Sequence, residues 1–133
     1  MKKSTIFLVA GVALIAAIVI GNRTMTRASQ HIVSVSVPEL SDAGRLGQSR
    51  FKTFCADCHG ESAGGAEKGP PLIHNFYHPG HHGDGAFYIA AKNGTRQHHW
   101  RFGDMPPVDG IEDADIDAIL AYVRELQSAN GIF

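Results

Sequence analysis

Cysteine is scarce in this sequence: among 133 residues there are two, Cys55 and Cys58. With no other thiol, a disulfide framework and a cysteine-rich zinc module are both excluded. A bridge between two residues this close would close too small a loop to add much stability. Acidic residues are missing from positions 1–30, which carry Lys2, Lys3, Arg23 and Arg27. Residues 31–133 therefore hold 8 basic residues against all 13 acidic ones, a net charge of -5 behind a whole-chain value of -1. That balance argues against nucleic acid as a partner and favours docking on a basic patch of another protein. Aromatic content is low at 8%, while 15 glycines and 6 prolines point to many turns around a few helices. No nucleophile–base pair and no nucleotide-binding loop is evident, so an enzyme is not expected. The length allows one small domain plus an extension.

What is there centres on Cys55-Ala56-Asp57-Cys58-His59. Two cysteines separated by two residues, with a histidine directly behind, form the attachment pattern of a c-type haem. The thiols can add across the two vinyl groups of the ring, and His59 can give an imidazole nitrogen to the iron as first axial ligand. A thioredoxin-like pair would need a strand leading into Cys55 and a βαβ context, and neither is evident. A zinc site would need further cysteine or histidine at ligand spacing. One covalent haem is the expected cofactor, and a core this small makes folding and haem attachment interdependent.

Charge is also absent from Thr5 to Gly21, an apolar run of 17 residues behind Lys2 and Lys3. As a helix it would be about 25 Å long, the short end for spanning a bilayer. A cleaved signal peptide and an uncleaved signal anchor compete. The run is long for a signal peptide and no clear small-x-small cleavage site follows it, so an anchor over residues 1–22 is expected. Positive residues at both ends orient it weakly. Residues 23–40 read as a linker, with a short extended piece over His31–Val37 stopped by Pro38. The domain is expected over 41–133, in the periplasm, with the anchor crossing the inner membrane once.

Within the domain, Gly47, Phe51, Phe54 and Cys58 fall on one helical face running into the haem motif, with Ser41 or Asp42 as N-cap. Gly69-Pro70-Pro71-Leu72 forces an extended path. The Pro70 carbonyl is free to accept from the second ring nitrogen of His59, fixing the ring and raising its basicity. The alternative is a rigid turn and nothing more. Asp84 is expected to cap a second helix bearing Phe87, Ala90 and Ala91, which Gly94 ends. Met105, set between Gly103 and the pair Pro106-Pro107, is not a core-packing methionine. Its thioether suits a sixth position on haem iron, with His98 or His99 as competitors. The prolines would lower the entropy lost on ordering that loop. His74, His78, His81, His82, His98 and His99 pose a second-metal reading. Loop side chains, one or two of them bonding haem propionates, are the expected alternative, because the spacing is not that of a helical metal motif. Ile116, Ile119, Leu120, Val123 and Leu126 mark the last helix, and Glu112, Asp113, Asp115 and Asp117 suit its N-terminal dipole.

These residues together resemble the monohaem class I cytochromes c of bacteria. The resemblance covers roughly residues 42–128. It rests on Gly47 and Phe51 before Cys55-Ala-Asp-Cys58-His59-Gly60, on Gly69-Pro70-Pro71-Leu72, on Met105-Pro106-Pro107 and on the last helix with Tyr122. It implies an all-α fold, three main helices around one covalent haem, here preceded by the N-terminal transmembrane helix. It implies that the first and last helices cross where Gly47 allows close approach and Phe51 meets Tyr122. It also implies His59 and Met105 as axial ligands, the Pro70 oxygen bonded to His59, and Leu72 packed on the ring. Trp100 or Arg101 would contact a propionate. The function that follows is one-electron transfer between redox protein partners in a respiratory or related chain, with no small-molecule substrate. A dedicated haem c subunit of one oxidoreductase complex is the alternative, and a haem-based sensor is a third reading.

Overall fold

The computed structural model describes residues 11–20 and 31–133. The chain divides into two units, Met1–His31 and Ile32–Phe133. In the first, residues 11–20 are helical and carry exposed apolar side chains such as Leu14 and Ile15. The remainder of the expected membrane helix over 1–22 lies outside the described residues, as do residues 23–30 of the expected linker. Among the described residues, no helix is long and apolar enough to cross a membrane.

The second unit is built from helices: α1 (Asp42–Phe54), α2 (Ala56–His59), a 3-10 turn (Asn75–Tyr77), α3 (Asp84–Asn93) and α4 (Asp113–Ala129). The only pairing outside them among the described residues is an isolated antiparallel bridge between Thr95 and Met105. This is the expected all-α architecture with three main helices.

Helix α1 starts where Ser41 Oγ accepts from the Gly44 N–H at 3.0 Å. The Glu125 carboxylate on α4 in turn accepts from the Ser41 N–H at 3.1 Å and from Ser41 Oγ at 2.6 Å. One capping residue thus starts α1 and ties it to α4. The helix buries Gly44, Gly47 and Phe51. The expected face does not continue to Cys58. Cys55, at φ -125°, leaves helical geometry, α2 restarts behind it, and Cys58 emerges exposed.

Helix α4 buries all five expected residues and adds Tyr122 and Gln127. Its start is fixed by the Asp115 carboxylate, which accepts from the Glu112 N–H at 3.1 Å. It packs most extensively against α1. A Cβ at Gly47 would lie 1.9 Å from the Ala118 carbonyl oxygen and 2.8 Å from Tyr122 Cβ, so backbone there meets backbone. One turn on, Phe51 and Tyr122 meet with ring centroids 5.5 Å apart and planes tilted by 58°. Both are fully buried.

Gln127 is 1% exposed, a polar side chain in the core. It donates to the Leu72 and Tyr77 carbonyls at 3.0 and 2.9 Å and accepts from Arg124 at 2.6 Å. Arg124 also donates to the carbonyls of Tyr77 and His82 and to Asp84, while its guanidinium lies 5.1 Å from the centre of the Phe87 ring. With the Gln127 amide satisfied on both sides, the pair rivets the loop 70–83 and the start of α3 to α4. Asp84 is the first residue of α3 rather than its cap. Gly83 holds the cap position, because the Asp84 carboxylate is engaged by Arg124.

Residues 32–40, placed in the linker by sequence, run extended along the domain. Val33 N–H donates to Gly64 O at 2.8 Å, and the Asn130 side chain pairs with both backbone groups of Ser36 at 2.9 and 2.8 Å. Val33 and Val35 pack against the core and Leu40 is buried in it.

Adding a methyl group at the crossing tests how tight it is. Gly47→Ala must push α1 and α4 apart, because neither obstacle is the tip of a flexible side chain. The expected loss is about 3 kcal/mol, read as a lower guanidinium midpoint at unchanged slope.

Candidate haem site

Between α1–α2, the loop 70–82, α3 and the loop 95–105 lies a cavity of about 360 Å³. Its wall is largely apolar and includes Cys55, His59, Leu72, Trp100 and Met105. With Pro70, which also lines it, six of the eight site residues singled out by sequence are therefore brought together by separate stretches of chain.

His59 is enclosed, and its Nδ1 lies 2.8 Å from the Pro70 oxygen. A carbonyl can only accept, so Nδ1 carries the proton and Nε2 keeps its lone pair. Burial lowers the basicity of the ring, while the Pro70 carbonyl works in the opposite direction. The outcome is a neutral imidazole of fixed tautomer and orientation, the form that ligates a metal. The Pro70 oxygen is held in place because the loop behind His59 folds back on itself. Gly65 N–H donates to His59 O at 2.7 Å, and Leu72 N–H donates to Ala63 O at 2.8 Å. Gly60 and Ala63 take positive φ values of 79° and 57° to make that turn. Gly69 approaches the Cys58 carbonyl so closely that a Cβ would sit 2.7 Å from it.

Met105 is fixed through its backbone. Its N–H and C=O exchange hydrogen bonds with Thr95, each at 2.9 Å. The loop so closed is braced inside by Gly103 N–H donating to Gln97 Oε1 at 2.7 Å and by Gln97 N–H donating to Asp104 Oδ1 at 2.9 Å. Gly94, at φ 74°, ends α3 and lets the Met105 carbonyl come within 2.5 Å of where a Cβ would be. The methionine is thus held by strand-like pairing to the end of α3, a partner that sequence gives no sign of, while Pro106 and Pro107 stay exposed.

Trp100 is half-buried against His74 and Phe76, at ring distances of 5.0 and 5.5 Å. Arg101, paired with Trp100 in the sequence expectation, is exposed and off the cavity wall; Arg96 stands on it instead. The reason is the tight course of the loop, which turns Trp100 inward and its neighbour outward. Cys58, too, is exposed and off the wall, because of the helix break at Cys55. Sequence reasoning missed Arg124 and Gln127, which position Leu72 and Tyr77. The one available signal was Gln127 occupying an apolar-face position four residues after Val123.

A cytochrome c family model matches residues 45–127. The chain belongs to the cytochrome c family. No solved structure matches it. Membership implies covalently bound haem c and haem-based electron transfer to redox partners, and the helix-rich domain without strands among its described residues fits the family's all-α fold. The residues present fit the group. The cytochrome offers an apolar cavity, an enclosed neutral imidazole, a thioether and a thiol on one wall, with a second thiol three residues on.

The Cys55 thiol is not primed as a nucleophile. Burial, then the nearby Cys58, push it from 9.0 up to about 12. At fixed pH that leaves about a thousandfold less thiolate. In chain made without haem attachment, iodoacetamide at pH 8 is expected to modify exposed Cys58 at least about tenfold faster than Cys55. Fragment-ion mass spectrometry of the shared peptide measures both rates.

Proposed function

We propose that this cytochrome c is a single-haem, one-electron carrier of a respiratory or related chain, with His59 and Met105 as the two axial ligands. Bound haem c supplies reversible one-electron exchange between ferric and ferrous iron. What carries the reading is that a tautomer-fixed His59 and a backbone-locked Met105 wall the same apolar cavity as Cys55. Cys55 and Cys58 would hold the ring by thioether bonds. Pro70 keeps the His59 ring oriented through its oxygen, so electron transfer requires little motion of the ligand. Leu72 and Trp100 exclude water from the ring, which favours the less charged reduced state and so a fairly high potential. Two strong ligands leave no position for a substrate, in keeping with a carrier rather than an enzyme. The negative balance of residues 31–133 suits docking on a basic surface of a protein partner.

The domain is proposed to sit in the periplasm, tethered to the inner membrane. The uncharged run from Thr5 to Gly21 and the exposed apolar side chains of the helical residues 11–20 support that placement. Residues 32–40 then serve as the docked end of the tether, not as free linker.

Met105→Ala is expected to lower the midpoint potential, abolish methionine-type ligation in the visible and near-infrared spectra, and let the reduced protein bind carbon monoxide. An unchanged spectrum would instead assign the sixth position to His98 or His99. The intact mass of membrane-extracted protein is expected to equal the full chain plus one haem; a mass short by the N-terminal apolar run would replace the anchor with a signal peptide.

A further inference from the structure

The histidines that the haem reading leaves over are not scattered. Two His-His pairs, His81-His82 and His98-His99, stand in the loops on either side of α3, and that helix brings them face to face. One ligand nitrogen from each of His81, His82 and His99 lies within 4.8 Å of the others. Nε2 of His81 lies 3.3 Å from Nε2 of His99, and Nε2 of His82 lies 3.3 Å from Nε2 of His98. Two nitrogens each about 2.05 Å from a tetrahedral zinc are about 3.3 Å apart.

The hydrogen-bond count makes the stronger point. His82 Nδ1 abuts the Phe76 carbonyl, and His98 Nδ1 abuts the Arg96 carbonyl at 2.7 Å. Carbonyls only accept, so both Nδ1 atoms carry protons and, in neutral rings, both Nε2 atoms present lone pairs. Those lone pairs face each other across 3.3 Å, an arrangement that a shared proton or a metal ion held by both nitrogens would stabilise. The backbone carbonyls act as the orienting groups that metal-bound imidazoles normally have. Phe76 stacks on His99 at 4.5 Å and holds that ring in place.

We propose that His81, His82 and His99, with His98 as fourth ligand, form a site for one divalent zinc or copper ion where the cavity wall meets solvent. An all-imidazole donor set suits these borderline ions and not calcium or magnesium. His82, His98 and His99 also line the cavity that holds Met105, so the ion would sit at the edge of the haem site without using its ligands. The site rests on the reading above that Met105, and not His98 or His99, takes the sixth position on the haem iron.

The test uses the untagged, haem-loaded full chain, stripped with a chelator and desalted. Calorimetric titration with zinc chloride at pH 7.5 is expected to give one ion per chain with a dissociation constant below about 1 µM. His81→Ala and His99→Ala should each weaken binding by about tenfold or more, on the scale seen when a metal site loses a supporting group. Copper(II) in place of zinc should show nitrogen hyperfine structure in its paramagnetic resonance spectrum, and displacement of one ion by the other shows which binds tighter. Absence of binding, or several weak ions per chain indifferent to both substitutions, would overturn the site and leave imidazoles acting singly. The visible spectrum of the same samples reports the haem, so failure of the metal site is distinguishable from failure of the cofactor assignment. His81 is exposed and makes no backbone hydrogen bond through its ring, so its removal is not expected to unfold the domain.

Discussion

The contact between Gly47 and the Ala118 carbonyl sets the rest of this domain. Where α1 and α4 cross without an intervening side chain, Phe51 and Tyr122 can close over the junction and exclude water. The crossing also fixes the directions of two chains that matter for the site. α1 runs directly into Cys55 and His59. α4 reaches back through Arg124 and Gln127 to hold the loop that carries Leu72 and Tyr77. The two halves of the cavity wall are therefore registered to each other by helix packing. The covering loops, which lack regular structure, do not have to supply that precision themselves.

Loops without regular structure can still be rigid when their backbone groups are satisfied. The stretch from Gly60 to Ile73 shows how. Its turns close on Ala63, which takes both the Leu72 and Ile73 amides. Gly64 receives Val33 from the incoming extended segment, so that segment becomes a brace for the loop that positions Pro70. A hydrogen bond to a proline carbonyl suits this purpose, since that residue has no amide to compete and its φ is already restricted. The orientation of His59 thus depends in part on a residue as distant in sequence as Val33.

Much of the fold was legible because its signals are local. The three-and-four spacing of Ile116, Ile119, Leu120, Val123 and Leu126 marked α4, and the glycine at 94 marked the end of α3. The haem motif is legible for the same reason, being five consecutive residues. What failed involved partners distant in sequence or a local break in geometry. Periodicity carried the α1 face through to Cys58, whereas Cys55 interrupts the helix. Asp84 has the composition of a cap but is drawn to Arg124, 40 residues away. Thr95 has no feature that marks it as the partner of Met105, because an isolated bridge has no repeating pattern. Trp100 and Arg101 are adjacent, and only the course of the loop decides which one turns inward.

The closed loop 95–105 is where the two sites meet. Its ends are joined by the Thr95–Met105 bridge, its interior is braced by Gln97, and its middle carries His98 and His99. A loop so short and so fully bonded cannot move its histidines far without moving its methionine. Anything that holds His98 and His99 against His81 and His82 therefore reduces the freedom of Met105 as well. In the proposed ligation that restraint acts on a thioether, whose hold on iron depends on how little entropy is lost in placing it. The Pro106-Pro107 pair stiffens the chain on one side of Met105, and the bridged loop stiffens it on the other. An ion held by the four imidazoles would extend that stiffening across to the loop before α3, coupling the rigidity of the proposed sixth ligand to metal supply without any contact between the ion and the iron.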